Sequence, residues 1–128
     1  MLATDIKTID LIPSGLPARL YCNQGDIGLG GDSGRYYYLN LQKDGVNYIP
    51  QQGAVITVEG TKPDGSTFTH TLTNIAMAVY MPLFADMTDI AGEVKLQIVV
   101  KEGNNRTASQ MIILFVQRSA YDGNNTGI

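Results

Sequence analysis

Between Gln24 and Gly65, short apolar runs are cut by turn signals: Lys43-Asp44-Gly45, Gln51-Gln52-Gly53 and Lys62-Pro63-Asp64-Gly65. Asp-Gly between alternating segments is a strong hairpin signal, because glycine supplies the positive φ that a tight turn needs. Helices cannot run through such punctuation. The stretch commits the chain to antiparallel β structure and carries no reaction chemistry of its own.

The rest of the chain follows the same pattern. Residues 6–12 read as a first strand, ended by Pro13-Ser14-Gly15. In residues 17–23, Ala18, Leu20 and Cys22 alternate with Arg19, Tyr21 and Asn23, which is the period of a half-buried strand. In 36–41, Tyr37, Leu39 and Leu41 face one way and Tyr36, Tyr38 and Asn40 the other. Further strands are expected at 46–49, 54–60, 66–72, 94–100 and 110–116. In the 94–100 strand, Val94, Leu96, Ile98 and Val100 oppose Lys95, Gln97 and Val99. The 75–81 run is apolar throughout and suits a strand covered on both sides. One segment has helical spacing: Phe84, Met87, Ile90 and Ala91, with Gly92 where a C-cap belongs. The expectation is all-β: an antiparallel β-sandwich of about eight strands with at most one short helical turn. It forms one domain over 1–120, and 121–128 is a flexible tail or the start of a linker.

Composition narrows the partners. The net charge is −3 and only 16% of the residues are charged, so nothing suits nucleic acid or an anionic membrane surface. The apolar runs, such as Met111 to Val116, are strand-sized and far short of a membrane span. Cys22 is the single cysteine, which excludes an intrachain disulfide. The first residues, with an early Asp5 and no basic start, do not form a signal peptide.

Catalytic and binding constellations are sparse. The glycines between Gly25 and Gly34 miss the phosphate-binding spacing, because Ser33 stands where a third glycine is needed. His70, the only histidine, sits between threonines and reads as a partly exposed strand residue. One histidine and one cysteine cannot make a structural zinc site. The carboxylates are dispersed; Asp26 and Asp32 match no calcium loop, and Asp44 and Asp64 belong to turns. Asn105 and Asn124 head chance sequons. No catalytic residue, metal or cofactor is expected. The one unusual cluster is Tyr36-Tyr37-Tyr38, whose outward members, Tyr36 and Tyr38, are the candidate contact surface.

The order of landmarks adds a resemblance. Gln24-Gly25-Asp26, the Asp44-Gly45 hairpin, Val55–Gly60, Lys62-Pro63-Asp64-Gly65, Ala91-Gly92-Glu93, Lys95–Val100, Glu102-Gly103 and a last strand through Phe115-Val116 follow one another over residues 16–118. This order resembles the N-terminal domain of the baseplate upper proteins of tailed phages that infect Gram-positive bacteria. The resemblance implies a β-sandwich that anchors a longer protein to the baseplate near the distal tail. In that family a trimer-forming helical region follows and carries the receptor-binding protein. This chain has no heptad repeat before Ile128, so it is expected to be a short relative or an isolated N-terminal domain.

The expected function is therefore that of a non-enzymatic structural virion protein of the host-adsorption apparatus, made in the host cytoplasm and acting by protein–protein docking. Its partners would be other phage structural proteins, with self-association left open. The alternative is a carbohydrate-binding β-sandwich module that uses the tyrosines or the glycine-rich loop.

Overall fold

A computed structural model of the chain describes residues 5–11, 16–28, 36–75 and 78–118. The expected tail at 121–128, and loop residues Gly30, Gly31, Asp32, Ser33 and Gly34, lie outside the described residues.

The described elements are β1 (Asp5–Asp10), β2 (Ala18–Asn23), β3 (Tyr36–Lys43), β4 (Val46–Asn47), β5 (Val55–Thr61), β6 (Thr67–Ile75), β7 (Ala78–Pro82), α1 (Ala85–Thr88), β8 (Gly92–Glu102), β9 (Asn105–Ala108) and β10 (Ile112–Gln117). The all-β expectation holds. Alternation in β2 and β3 falls as the sequence reads: Leu20, Cys22, Tyr37, Leu39 and Leu41 are buried, while Arg19, Tyr21 and Asn23 are exposed.

The arrangement differs from a simple antiparallel sandwich. Hydrogen bonding draws one path, β1-β3-β7-β6-β5-β8-β10-β2, nearly closed into a barrel. The reason is β6, which pairs with β5 over Thr67–Leu72 and with β7 over Thr73–Ile75. A nine-residue strand is long enough to pass from one half of the sheet to the other. Both ends of the path are parallel pairings, β1 with β3 and β2 with β10. Parallel neighbours need a long crossover, and the chain supplies one by leaving β1 for β2 at the far end before returning to β3.

The near-closure is held by hydrogen bonds that tie β2 and the residues after it to β3 and to the segment around α1. The buried Tyr37 hydroxyl on β3 donates to the Tyr21 carbonyl on β2 at 2.7 Å. After β2, the Gly25 and Gly28 amides donate to the Thr88 and Leu83 carbonyls. The buried Thr88 hydroxyl donates to the Asp26 carbonyl at 2.7 Å. Inside sits one apolar cluster, including Ile9, Leu20, Leu39, Val58, Met81, Met87, Leu96 and Leu114.

Four local expectations are corrected. Gly92 is not a helix cap: α1 ends at Thr88 with Asp89 as its C-cap, and Gly92, at φ 133°, opens β8 against the Pro63 ring. The 75–81 run is not covered on both sides within β7, because Tyr80 stays half-exposed while Val79 and Met81 are buried. The return strand expected at 46–49 shrinks to β4, since only Val46 and Asn47 pair with β3. Val99, expected on the outer face, is buried like its neighbours Ile98 and Val100.

β9 and β10 pair in turn along the same edge of β8 and are separated by a gap. Ser109 fills it: its amide donates to the Ile98 carbonyl, and the Ile98 amide donates to its hydroxyl. A buried polar group without a partner is the exception to this satisfaction. Among the described residues that exception is the Thr57 hydroxyl on β5. Thr57→Val keeps the shape and removes the unpaired group. It is expected to raise stability by about 1 kcal/mol in urea unfolding.

Candidate contact surface

The outward residues of β3 meet a tyrosine that sequence reasoning did not single out. Tyr38 lies opposite Tyr80 on β7, and Tyr36 lies opposite Pro82. The three rings of Tyr36, Tyr38 and Tyr80 form a triangle with centroids 5.3–5.7 Å apart. Every contact is tilted or edge-on, the arrangement that aromatic quadrupoles favour. All three rings are half-buried. The Tyr80 hydroxyl donates to the Gly28 carbonyl at 3.2 Å, which ties the triangle to the first residues of the glycine-rich loop. Period-2 alternation placed Tyr36 and Tyr38 on one face; the register of β7, which adds Tyr80, is a long-range fact with no local signal.

A second grouping surrounds His70 on β6. Its Nε2 lies 2.7 Å from Asp86 Oδ1 on α1, and its ring stacks on Phe84 at 3.8 Å with the planes 8° apart. The pairing joins β6 to the short helix. It supplies an imidazole and a carboxylate; the free thiol of Cys22 is buried on β2.

The carboxylates serve local structure. Asp26 accepts from the Asn23 amide. Asp64 accepts from the Ser66 amide and hydroxyl, and those bonds hold its carboxyl below the ordinary range. Asp89 pairs with Lys62 at 2.9 Å and raises the ammonium above its ordinary value. Glu59 pairs with Arg106 at 3.0 Å. Asp44, at φ 56°, sits in the β3–β4 turn. Among the described residues, no three histidine, cysteine or carboxylate side chains are grouped to hold a metal. No helix among them is long and apolar enough to cross a membrane.

The fold is similar to that of the N-terminal domain of phage TP901-1 ORF48. The two superpose with a TM-score of 0.62 at 7% identity, over 89% of this chain and 98% of that one. At that identity the likeness is one of fold. No family model matches the sequence. No curated protein matches it either.

One cluster near the β3–β4 hairpin is tuned electrostatically. The Tyr48 hydroxyl donates to Glu102 Oε1 and the Gln51 amide donates to Glu102 Oε2, which pins loop 48–53 to the end of β8. The Tyr48 hydroxyl, then the Gln51 amide, and more weakly the Lys43 charge hold the Glu102 carboxyl below its ordinary 4.5. The same bond, together with burial and the Glu102 charge, holds Tyr48 above 10.0. A carboxyl that is more acidic when folded adds stability above its unfolded value, and that stability fades as pH falls through the folded one. For Tyr48 the sense reverses: its contribution is present below its unfolded value and fades as pH rises through the folded one. The latch is therefore complete between about pH 5 and pH 9. Glu102→Gln is expected to cost about 1 kcal/mol at neutral pH. It should also flatten the loss of stability between about pH 5 and 3 when urea unfolding is followed across that range.

Proposed function

We propose that this chain is a non-enzymatic structural domain of a phage virion, working by docking to other tail or baseplate proteins. The observation that carries the reading is the fold shared with nearly the whole N-terminal domain of a phage protein. The sequence resemblance to baseplate upper proteins points the same way from different information. Several large apolar side chains stand in solvent, including Leu16, Tyr21, Val46 and Ile49, and are open to a partner. The Tyr36–Tyr38–Tyr80 triangle is part of the docking face. Its rings are tilted or edge-on to one another rather than coplanar, so they suit a protein contact better than a flat saccharide platform.

The test uses the particles of the phage that encodes this chain. Mass spectrometry of gradient-purified virions should find the chain, and antibody-gold labelling should place it at the tail tip. Particles free of the chain overturn the reading. A glycan array that reports binding lost on Tyr36→Ala or Tyr38→Ala transfers the assignment to the saccharide-binding alternative.

A further inference from the structure

The outer face of β2, β10 and β8 carries a second aromatic site, away from the tyrosine triangle. Register places Tyr21, Phe115 and Glu93 in one row across the three strands. The adjacent row is Arg19, Ile113 and Lys95. Tyr21 and Phe115 stack with centroids 5.1 Å apart and planes 15° from parallel. Tyr21 is 59% exposed, and Arg19, Glu93 and Lys95 are exposed too. Beside the rings lies a depression of about 290 Å³ lined by Tyr21, Phe115, Glu93, Gln117 and their strand neighbours.

The charges around this pair, like those of Lys43 and Lys101, are not taken up in ion pairs among the described residues. Lys62, Arg106 and His70 each hold a carboxylate. Among the described residues, Glu93, Arg19 and Lys95 take part in no ion pair. A carboxylate next to an aromatic face is the environment that a cationic side chain seeks, through the ion pair and the ring quadrupole together. One row further on, the sign reverses to positive. The rows are two residues apart along each strand, and two residues of an extended peptide span the same distance, roughly 6.6 Å.

We propose that this face receives an extended segment of a partner protein carrying an arginine and, two residues on, an acidic residue. The arginine enters the depression against Phe115 and Glu93, and the acidic residue meets Arg19 and Lys95. The proposal rests on the docking reading above and adds the chemistry of the partner. The particle experiment can succeed while the following one fails, so the two stand or fall separately.

The test titrates the blocked tripeptide Ac-Arg-Ala-Glu-NH2 into the full, isotope-labelled chain and follows the backbone amides. Saturable shifts at Tyr21, Glu93 and Phe115 are expected. Ac-Nle-Ala-Glu-NH2 should bind about tenfold more weakly, as should the arginine peptide with Glu93→Gln. Lys95→Glu should weaken it as well. Both substitutions are at exposed positions, and an unchanged amide spectrum checks that the fold is kept. Absence of saturation by ~10 mM peptide overturns the proposal, since that bound already excludes a useful contact. Equal binding of the norleucine peptide overturns it in favour of a merely apolar groove. Binding of methyl β-glucoside at the same amides, without peptide binding, overturns it in favour of a saccharide site.

Discussion

Tyr37→Ala is expected to lower stability by about 3–5 kcal/mol, the range for losing a fully buried aromatic ring. That is a large part of the 5–15 kcal/mol a domain usually has, so the variant should unfold at far lower urea or fail to accumulate. The size follows from position. Tyr37 is 1% exposed, lies between β1 and β7 in the sheet, and crosses to β2 through its hydroxyl. Truncation leaves a cavity in the core and takes away the Tyr21 carbonyl's link across the near-closure. Tyr37→Phe separates the two effects. It keeps the ring and should cost only about 1–2 kcal/mol for the lost hydrogen bond. Equal losses for the two variants would show that the cross-barrel bond, not packing, dominates. Urea midpoints with unchanged slopes measure both.

The second large effect is expected at Gly60. It pairs with Phe68 on one side and Leu96 on the other, and the Phe68 ring lies across it. A Cβ at this position would stand 2.4 Å from Phe68 Cζ and 2.9 Å from the Lys95 carbonyl oxygen. The ring can turn a little; the backbone oxygen cannot yield without shifting a strand. Gly60→Ala should cost about 1–3 kcal/mol through overpacking, and Gly60→Val more. Adding Phe68→Leu to Gly60→Ala should recover part of the loss, giving a coupling of about 1 kcal/mol in a double-mutant cycle. Strict additivity would locate the clash at the Lys95 carbonyl instead.

Local signals were legible in the sequence where cause and effect lie within a few residues. Alternation in Ala18–Asn23 and Tyr36–Leu41 assigned the right faces. The Asp44-Gly45 turn is where it was expected, with positive φ at both residues. What failed was long-range. Nothing in Asp5–Asp10 announces a parallel partner, because that pairing depends on where β2 goes. β9 is polar and four residues long, with no alternation to betray it; only the pairing with β8 makes it a strand. Gly92 imitated a helix cap because a positive φ serves a strand entry equally well. The same division holds at the candidate sites. The outward placement of Tyr36, Tyr38 and Tyr21 was readable from period two. Their companions Tyr80 and Phe115, and the Asp86 partner of His70, were not, because register sets them.

The pairing of β2 with β10 has a consequence for biosynthesis. Ala18 finds its partner in Ile112, so β2 must wait for a strand made far later along the chain. On the ribosome, Leu20, Cys22 and the exposed Tyr21 ring emerge long before anything can cover that edge. Such distant closure slows folding and lengthens the time during which an unpaired strand can meet a wrong neighbour. A nascent chain halted before residue 112 should be protease-sensitive along its whole length, and the release of Ile112–Gln117 should confer protection in a single late step.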